Sequence, residues 1–275
     1  MRGHQPQIKF MKIKVLYEDS NILAIDKPSG ILVHPDQRSK EKTILDLFSK
    51  KYPKLEIVHR LDKETSGVML LAKNKKAHEF LKKQFMDRTV KKTYLAIVSG
   101  FVKNDRGVIN KPIGRSPTDF RRYSATRGAR GEMREAITQY KVLKRFTALS
   151  AGLESVSPRA ISSRFTLPGL PGRSYATKKL RGALPAKFTY LEIRPKTGRT
   201  HQIRVHMKSI DHPVACDPLY NPKSACPKGI KRLALHAKSI EFSALGGSAF
   251  GGKNSVVKTI KVESPLSLEF RKMVK

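Results

Sequence analysis

The chain has 275 residues, and its 56 Lys and Arg stand against 22 Asp and Glu, a formal charge of +34. That length buries a substantial core without disulfides, and the charge surplus exceeds what solubility needs, so it points to a polyanionic partner. No apolar run approaches the roughly 20 residues of a membrane-spanning helix, and the opening MRGHQPQIKFMK carries no apolar stretch behind its charges, so no spanning helix is expected and the cytoplasm is the expected location. The basic residues are spread along the chain and not gathered in one amphipathic helix, which favours nucleic acid over an anionic membrane.

In chain order, IKVLYEDSNILAIDKPSGILVHPD alternates short apolar runs with Asp-Ser-Asn and Pro-Ser-Gly, the pattern of strand, turn, strand, turn, strand. KTILDLFSKKY has helical spacing at Ile44, Leu47 and Phe48. SGVMLLAKN reads as a buried strand, KKAHEFLKKQFMDR as a helix with Phe80, Leu81, Gln84 and Phe85 near one face, and KKTYLAIVSG as a further strand. AITQYKVLKRF and FTYLEIRP follow as strands, TGRTHQIRVHMKSI as a helix, RLALHAKSIEF as a strand, and SPLSLEFRKMVK as a closing helix or tail. Strands outnumber helices and come in pairs, which predicts an α+β fold with a large, mostly antiparallel sheet.

Two stretches break the pattern. Ser155 to Lys187 holds seven Lys or Arg and no acid among repeated Ser, Pro and Gly, and it reads as a basic, flexible insertion at about 148–187, where a short hairpin would suffice. SALGGSAFGGKNS is flexible by composition. Cys216 and Cys226 lack the spacing of a metal knuckle and are too few for a disulfide framework, so they are expected as free thiols.

The chemistry centres on VHRLDKETSGVMLLAKN, which sets Asp62 among His59, Arg60 and Lys63. Nearby cations favour the ionised carboxylate, which leaves a base, a nucleophile, a salt-bridge partner or the cap of a turn with Thr65 and Ser66. Arg204, in TGRTHQIRVHM, falls about 100° round the helix from Ile203. That is the edge of the stripe formed by Ile203, Met207 and Ile210, from which a guanidinium can hold a carboxylate by a bidentate pair.

HRLDKETSGVMLLAK, KKTYLAIVSG, KPIGR, PKTGRTHQIRVHM, HPVACDPLY and LALHAKSIEF, in this order and over most of the chain, closely resemble the RluA-type family of pseudouridine synthases. The resemblance implies the pseudouridine synthase fold: a central mixed, largely antiparallel sheet in two halves with flanking helices and an active site in the cleft between them. It implies isomerisation of uridine in ribosomal RNA, with the large subunit favoured, or in tRNA. Asp62 then matches the catalytic aspartate, Arg204 the arginine that pairs with it, and Tyr94 the tyrosine that stacks on the target base, with help in deprotonating C5 as a further role the resemblance allows. His59 and Arg60 are expected to touch the RNA at the entrance, since a base in a helix must be extruded to reach such a pocket. Leu235 and Ile203 fall in segments that wall the family's pocket.

Residues 1–10 are expected as a tail and 11–275 as one catalytic domain, with no separate N-terminal RNA-binding domain. The basic insertion is the candidate phosphate-binding arm in its place. Cys216 stands where the family pattern leads one to expect glycine. GSAFGGKN falls short of a phosphate-binding loop, since Asn254 replaces the Ser or Thr that would hold magnesium. His201 and His206 lack the spacing of zinc ligands. No metal, nucleotide or other cofactor is expected for an isomerase, and a monomer is the default. The alternative is a non-catalytic basic RNA-binding or ribosome-assembly protein, whose carboxylate and arginine would be expected to be lost; both are present.

Overall fold

The computed structural model describes residues 13–35, 41–151, 185–224, 226–246 and 256–274. The expected tail, most of the basic insertion and most of the glycine-rich stretch lie outside them. In chain order come β1 (Lys14–Glu18), β2 (Ile22–Lys27), α1 (Ile44–Phe48), β3 (Glu56–Ile57), β4 (Ser66–Ala72), α2 (Lys75–Met86), β5 (Lys91–Ser99) and β6 (Arg106–Asn110). Then follow β7 (Ile113–Arg115), β8 (Tyr123–Ser124), β9 (Arg130–Arg134), β10 (Ile137–Ala151) and β11 (Pro185–Pro195). The chain continues with α3 (Gln202–Lys208), β12 (Cys226–Pro227), β13 (Leu235–Gly246), β14 (Val256–Glu263) and α4 (Leu268–Val274).

One sheet runs β1-β2-β4-β13-β5-β11-β10-β12, with β14 on β13, β3 on β4 and β6 on β10. Every named pairing in it is antiparallel except β4 with β13, so the sheet is mixed and largely antiparallel, as expected. The apolar residues form two main clusters: one joins β2, β4 and Leu81 of α2, the other β5, β11 and α3. Strand β4 reads SGVMLLA because it is buried at every position between β2 and β13, where alternation would put a polar side chain into the core.

Gly67 marks the parallel contact. Its φ is +114°, and an added Cβ would overlap the Ala237 carbonyl oxygen. A side chain there meets both a left-handed backbone and a wall of main chain. Gly67→Ala is therefore expected to cost about 3 kcal/mol or more, read as a loss of thermal stability.

Three expectations are corrected. After the Pro-Ser-Gly turn the third opening strand is reduced to an isolated bridge between Leu32 and Thr43, since the turn binds across to another loop. Helix α3 is buried on all sides: Gln202 through Met207 are each covered, so Arg204 is interior and not at a stripe's edge. Part of the cover is the small sheet β8-β7-β9, which the sequence pattern did not announce and whose Ile113 clusters with Val205 of α3, Ala136 and Tyr220; Arg204 itself is enclosed by Asp217 and Tyr220. Third, Cys216 and Cys226 are joined as a disulfide and are not free thiols, because the turn through Asp217 and Asn221 folds back and brings their Cα atoms to 5.1 Å.

Candidate active site

Asp62 sits in a turn closed by Thr65 N–H donating to its carbonyl at 3.1 Å. The turn is clamped from below by the Lys27–Gly30 segment. Lys27, fully buried, donates to the carbonyls of Pro28, Lys63 and Thr65 at 3.0, 3.0 and 2.9 Å, which uses all three ammonium protons. Ser29 donates to the Glu64 carbonyl at 2.6 Å and Gly30 N–H to the Lys63 carbonyl at 2.7 Å. Burial pushes the Lys27 ammonium down to about 7, against the pull of Asp62 and Glu64. The hydroxyls do not cap Asp62: Ser66 bonds His236 at 2.9 Å, and Thr65 Oγ1 has no hydrogen-bond partner among the described residues.

The bidentate partner of Arg204 is Asp217, not Asp62. Nε and Nη2 of Arg204 donate to the two Asp217 oxygens at 2.7 and 2.8 Å, and both side chains are closed to solvent, 2% and 0% exposed. That leaves Nη1, which reaches Asp62 Oδ2 at 3.4 Å, across 142 residues of sequence. Asp62 is 17% exposed, and Arg204 is its one polar side-chain partner among the described residues. Asp217 also accepts from the Leu219 and Tyr220 amides at 2.8 and 2.9 Å. Burial alone would lower the Arg204 guanidinium, but the Asp217 and Asp62 carboxylates outweigh it and hold the charge. Tyr220 lies under the guanidinium, 5.1 Å from ring centre to Cζ, and its hydroxyl bonds His201 Nδ1 at 3.0 Å.

The loop ahead of α3 is folded by Gln202. Its carbonyl oxygen accepts from Thr197 Oγ1 and Arg199 N–H, and its amide donates to the Ile137 carbonyl and Thr138 Oγ1. The Thr-Gly-Arg-Thr-His-Gln run is thus a bracket onto β10. Cys216 has φ +55°, in the left-handed region, which is the physical reason a glycine is expected there.

A cleft of about 450 Å³ opens over Asp62, lined among others by His59, Arg60, Tyr94, Ile203, Arg204 and Leu235. Its size suits one nucleotide-sized group. The sequence-derived residues therefore share one cleft, and Ile203 and Leu235 wall it. Burial first, then the Asp62 charge, pushes the Tyr94 phenol well above its ordinary range, so it is neutral. Arg60 is exposed at the rim.

His59 faces inward. Its Nε2 accepts from the Leu70 amide at 2.9 Å and its ring stacks on Phe85 at 4.8 Å, which fastens the Asp62 loop to β4. Burial, then nearby Lys92, takes its pKa down to about 3; burial likewise takes His236 to about 4. Both rings are neutral in the folded protein, while in the unfolded chain they protonate near pH 6.5. The unfolded state thus binds more protons in that window. Thermal stability is expected to fall as pH drops from about 6.5 towards 4, and unfolding followed across this range checks it.

Asp217 and Lys27 were not singled out from sequence. Asp217 stood within HPVACDPLY and Lys27 within DKPSG, and no local spacing ties either to Asp62. Both histidines set aside as zinc ligands are engaged: His206 bonds Thr138 Oγ1 and donates to the Lys111 carbonyl, and His201 bonds Tyr220. Among the described residues no group of three or more His, Cys, Asp or Glu could hold a metal ion. None of their helices is long and apolar enough to cross a membrane.

A family model described as RNA pseudouridylate synthase matches residues 21–209, a span that holds Lys27, Asp62, Tyr94 and Arg204. The chain belongs to this family. Among its relatives, an uncharacterized RNA pseudouridine synthase of Aquifex aeolicus is 36% identical over 222 residues, 78% of this chain and 57% of that protein. A ribosomal large subunit pseudouridine synthase D of Nitrosomonas europaea is 34% identical over 249 residues, 86% of this chain and 60% of that protein. The chain thus spans about three-fifths of the length of these curated relatives. Human RNA pseudouridylate synthase domain containing 1 superposes with a TM-score of 0.63 at 22% identity, covering 96% of this chain and 94% of that one, which shows the shared fold.

Proposed function

We propose that this protein converts uridine within RNA to pseudouridine, with Asp62 as the group that opens the reaction. The observation that carries the reading is a partly exposed carboxylate in a nucleotide-sized cleft, held by the third donor of an arginine whose other two are committed to a buried acid. The isomerisation breaks the bond from N1 of uracil to C1′ of ribose, turns the base, and joins C1′ to C5. C5 gives up its proton and N1 gains one, so atoms and electrons balance without a redox partner.

An ionised carboxylate serves the first step either by attacking the sugar carbon or by taking a sugar proton as the bond to the base breaks. Arg204 reaches Asp62 with Nη1 and aims it into the cleft. Tyr94 offers the base a stacking face, and its neutral phenol favours that role over acting as a phenolate base. Ile203 and Leu235 give the cleft an apolar wall.

The charge of +34 suits an RNA partner, and the naming of relatives as large-subunit synthases favours ribosomal RNA over tRNA. The reading carries with it a cytoplasmic monomer that works without metal or cofactor. Pseudouridine mapping across total RNA, from cells with the wild-type gene and with Asp62→Ala, tests it. Sites lost in the variant name the substrate; identical maps would overturn the assignment.

A further inference from the structure

Lys92 is a cation inside the cleft that none of the roles above uses. It lies two residues before Tyr94 on β5, so both side chains leave the same face of the strand, roughly 7 Å apart along it. It is half-buried, and its polar contact among the described residues is one long approach, 3.5 Å to the Thr197 carbonyl. No described carboxylate comes within ion-pair distance of it. His59, its neighbour in the cleft, is neutral and supplies no countercharge.

A half-buried ammonium without a counter-ion is a cost that folding alone does not explain, and an incoming anion removes it. RNA brings its anionic charge on its phosphates. Arg60, Arg88 and Arg199 line the same cleft, and of these Arg88 is paired to Glu135 at 2.8 Å while Arg199 Nε is bound to the Glu135 carbonyl at 3.0 Å. Lys92 is set deeper than this rim, beside the face on which Tyr94 would receive the base.

We propose that Lys92 binds a backbone phosphate adjoining the target nucleotide and so fixes how deeply the RNA strand enters the cleft. This rests on the reading that the cleft admits a nucleotide of RNA. The alternative placement, against the uracil ring, would not change the number of phosphates neutralised, and the two are told apart by salt.

The test uses the full chain in an Asp62→Ala background, with an oligouridylate of about ten nucleotides as probe. Lys92→Met is expected to weaken binding about tenfold and to shrink the slope of log affinity against log salt by about 0.7, the release expected for one single-strand phosphate contact. Lys92→Arg restores the slope. Because Lys92→Met removes an uncompensated cation, its melting temperature holds or rises, which separates binding from misfolding. An unchanged slope in a folded Lys92→Met protein would overturn the proposal, whatever happens to turnover. Wild-type protein that forms no pseudouridine would instead overturn the functional reading and leave the phosphate contact standing.

Discussion

Replacing Asp62 with asparagine is expected to lower kcat/KM for pseudouridine formation by about 10⁴-fold or more, while the melting temperature moves little. The amide keeps the shape of the carboxylate but loses its charge, and with it the role of nucleophile or base proposed for Asp62; removal of such a group costs rate on this scale. Stability is spared because Arg204 makes its two short bonds to Asp217, and the contact to Asp62 is the long third one at 3.4 Å. Single-turnover assays on a substrate RNA, paired with thermal melts, check both halves. A variant that is folded yet retains more than about a tenth of wild-type turnover would remove Asp62 from the reaction.

Asp217→Asn is expected to do the converse damage, with a loss of about 3 to 5 kcal/mol of stability as well as activity. The reason is in the donors. If the asparagine oxygen keeps the Leu219 and Tyr220 amides, its NH2 group faces the guanidinium, donor against donor, inside a site closed to water. Arg204 is left charged and buried with Asp62 as its remaining carboxylate, which draws Asp62 out of the position proposed for it. In a chain of this size the melting temperature should fall by roughly 10 °C. Combining Asp217→Asn with Arg204→Met is expected to recover stability, because a buried pair replaced as a whole costs far less than a pair broken in half. Activity should stay lost. A double variant that remained as unstable as the single one would show that the loss does not come from the stranded arginine.

The elements legible from sequence are those whose signal is local. Strand β4 announced itself by an unbroken apolar run and α2 by its spaced Phe80, Leu81, Gln84 and Phe85, because burial on two faces or on one imposes those periods directly. The small sheet over α3 gave no such signal. Its strands hold three, two and five residues, rich in Arg and Gly, too short for a period to register, and their pairing is fixed by contact with α3 and Tyr220. That hidden sheet covers α3 at Val205, while Arg204 is enclosed by Asp217 and Tyr220 from a turn further along the chain.

The candidate site divides in the same way. Asp62, Arg204 and Tyr94 were reached through motif resemblance, and the cleft brings them together with His59 and Arg60. Asp217 lies in HPVACDPLY and Lys27 in DKPSG, yet their chemistry depends on partners elsewhere in the chain: a guanidinium 13 residues away and carbonyls 36 and 38 residues away.

By itself, then, the amino-acid sequence determined the charge that calls for a polyanion, the strand-rich α+β class and the kinds of side chain available for chemistry. Only the tertiary structure decided which carboxylate Arg204 holds with two bonds and which it merely reaches. Side-chain type and local period are written residue by residue, whereas the sharing of one guanidinium between two acids depends on distance and burial, which exist only once the chain has closed around them.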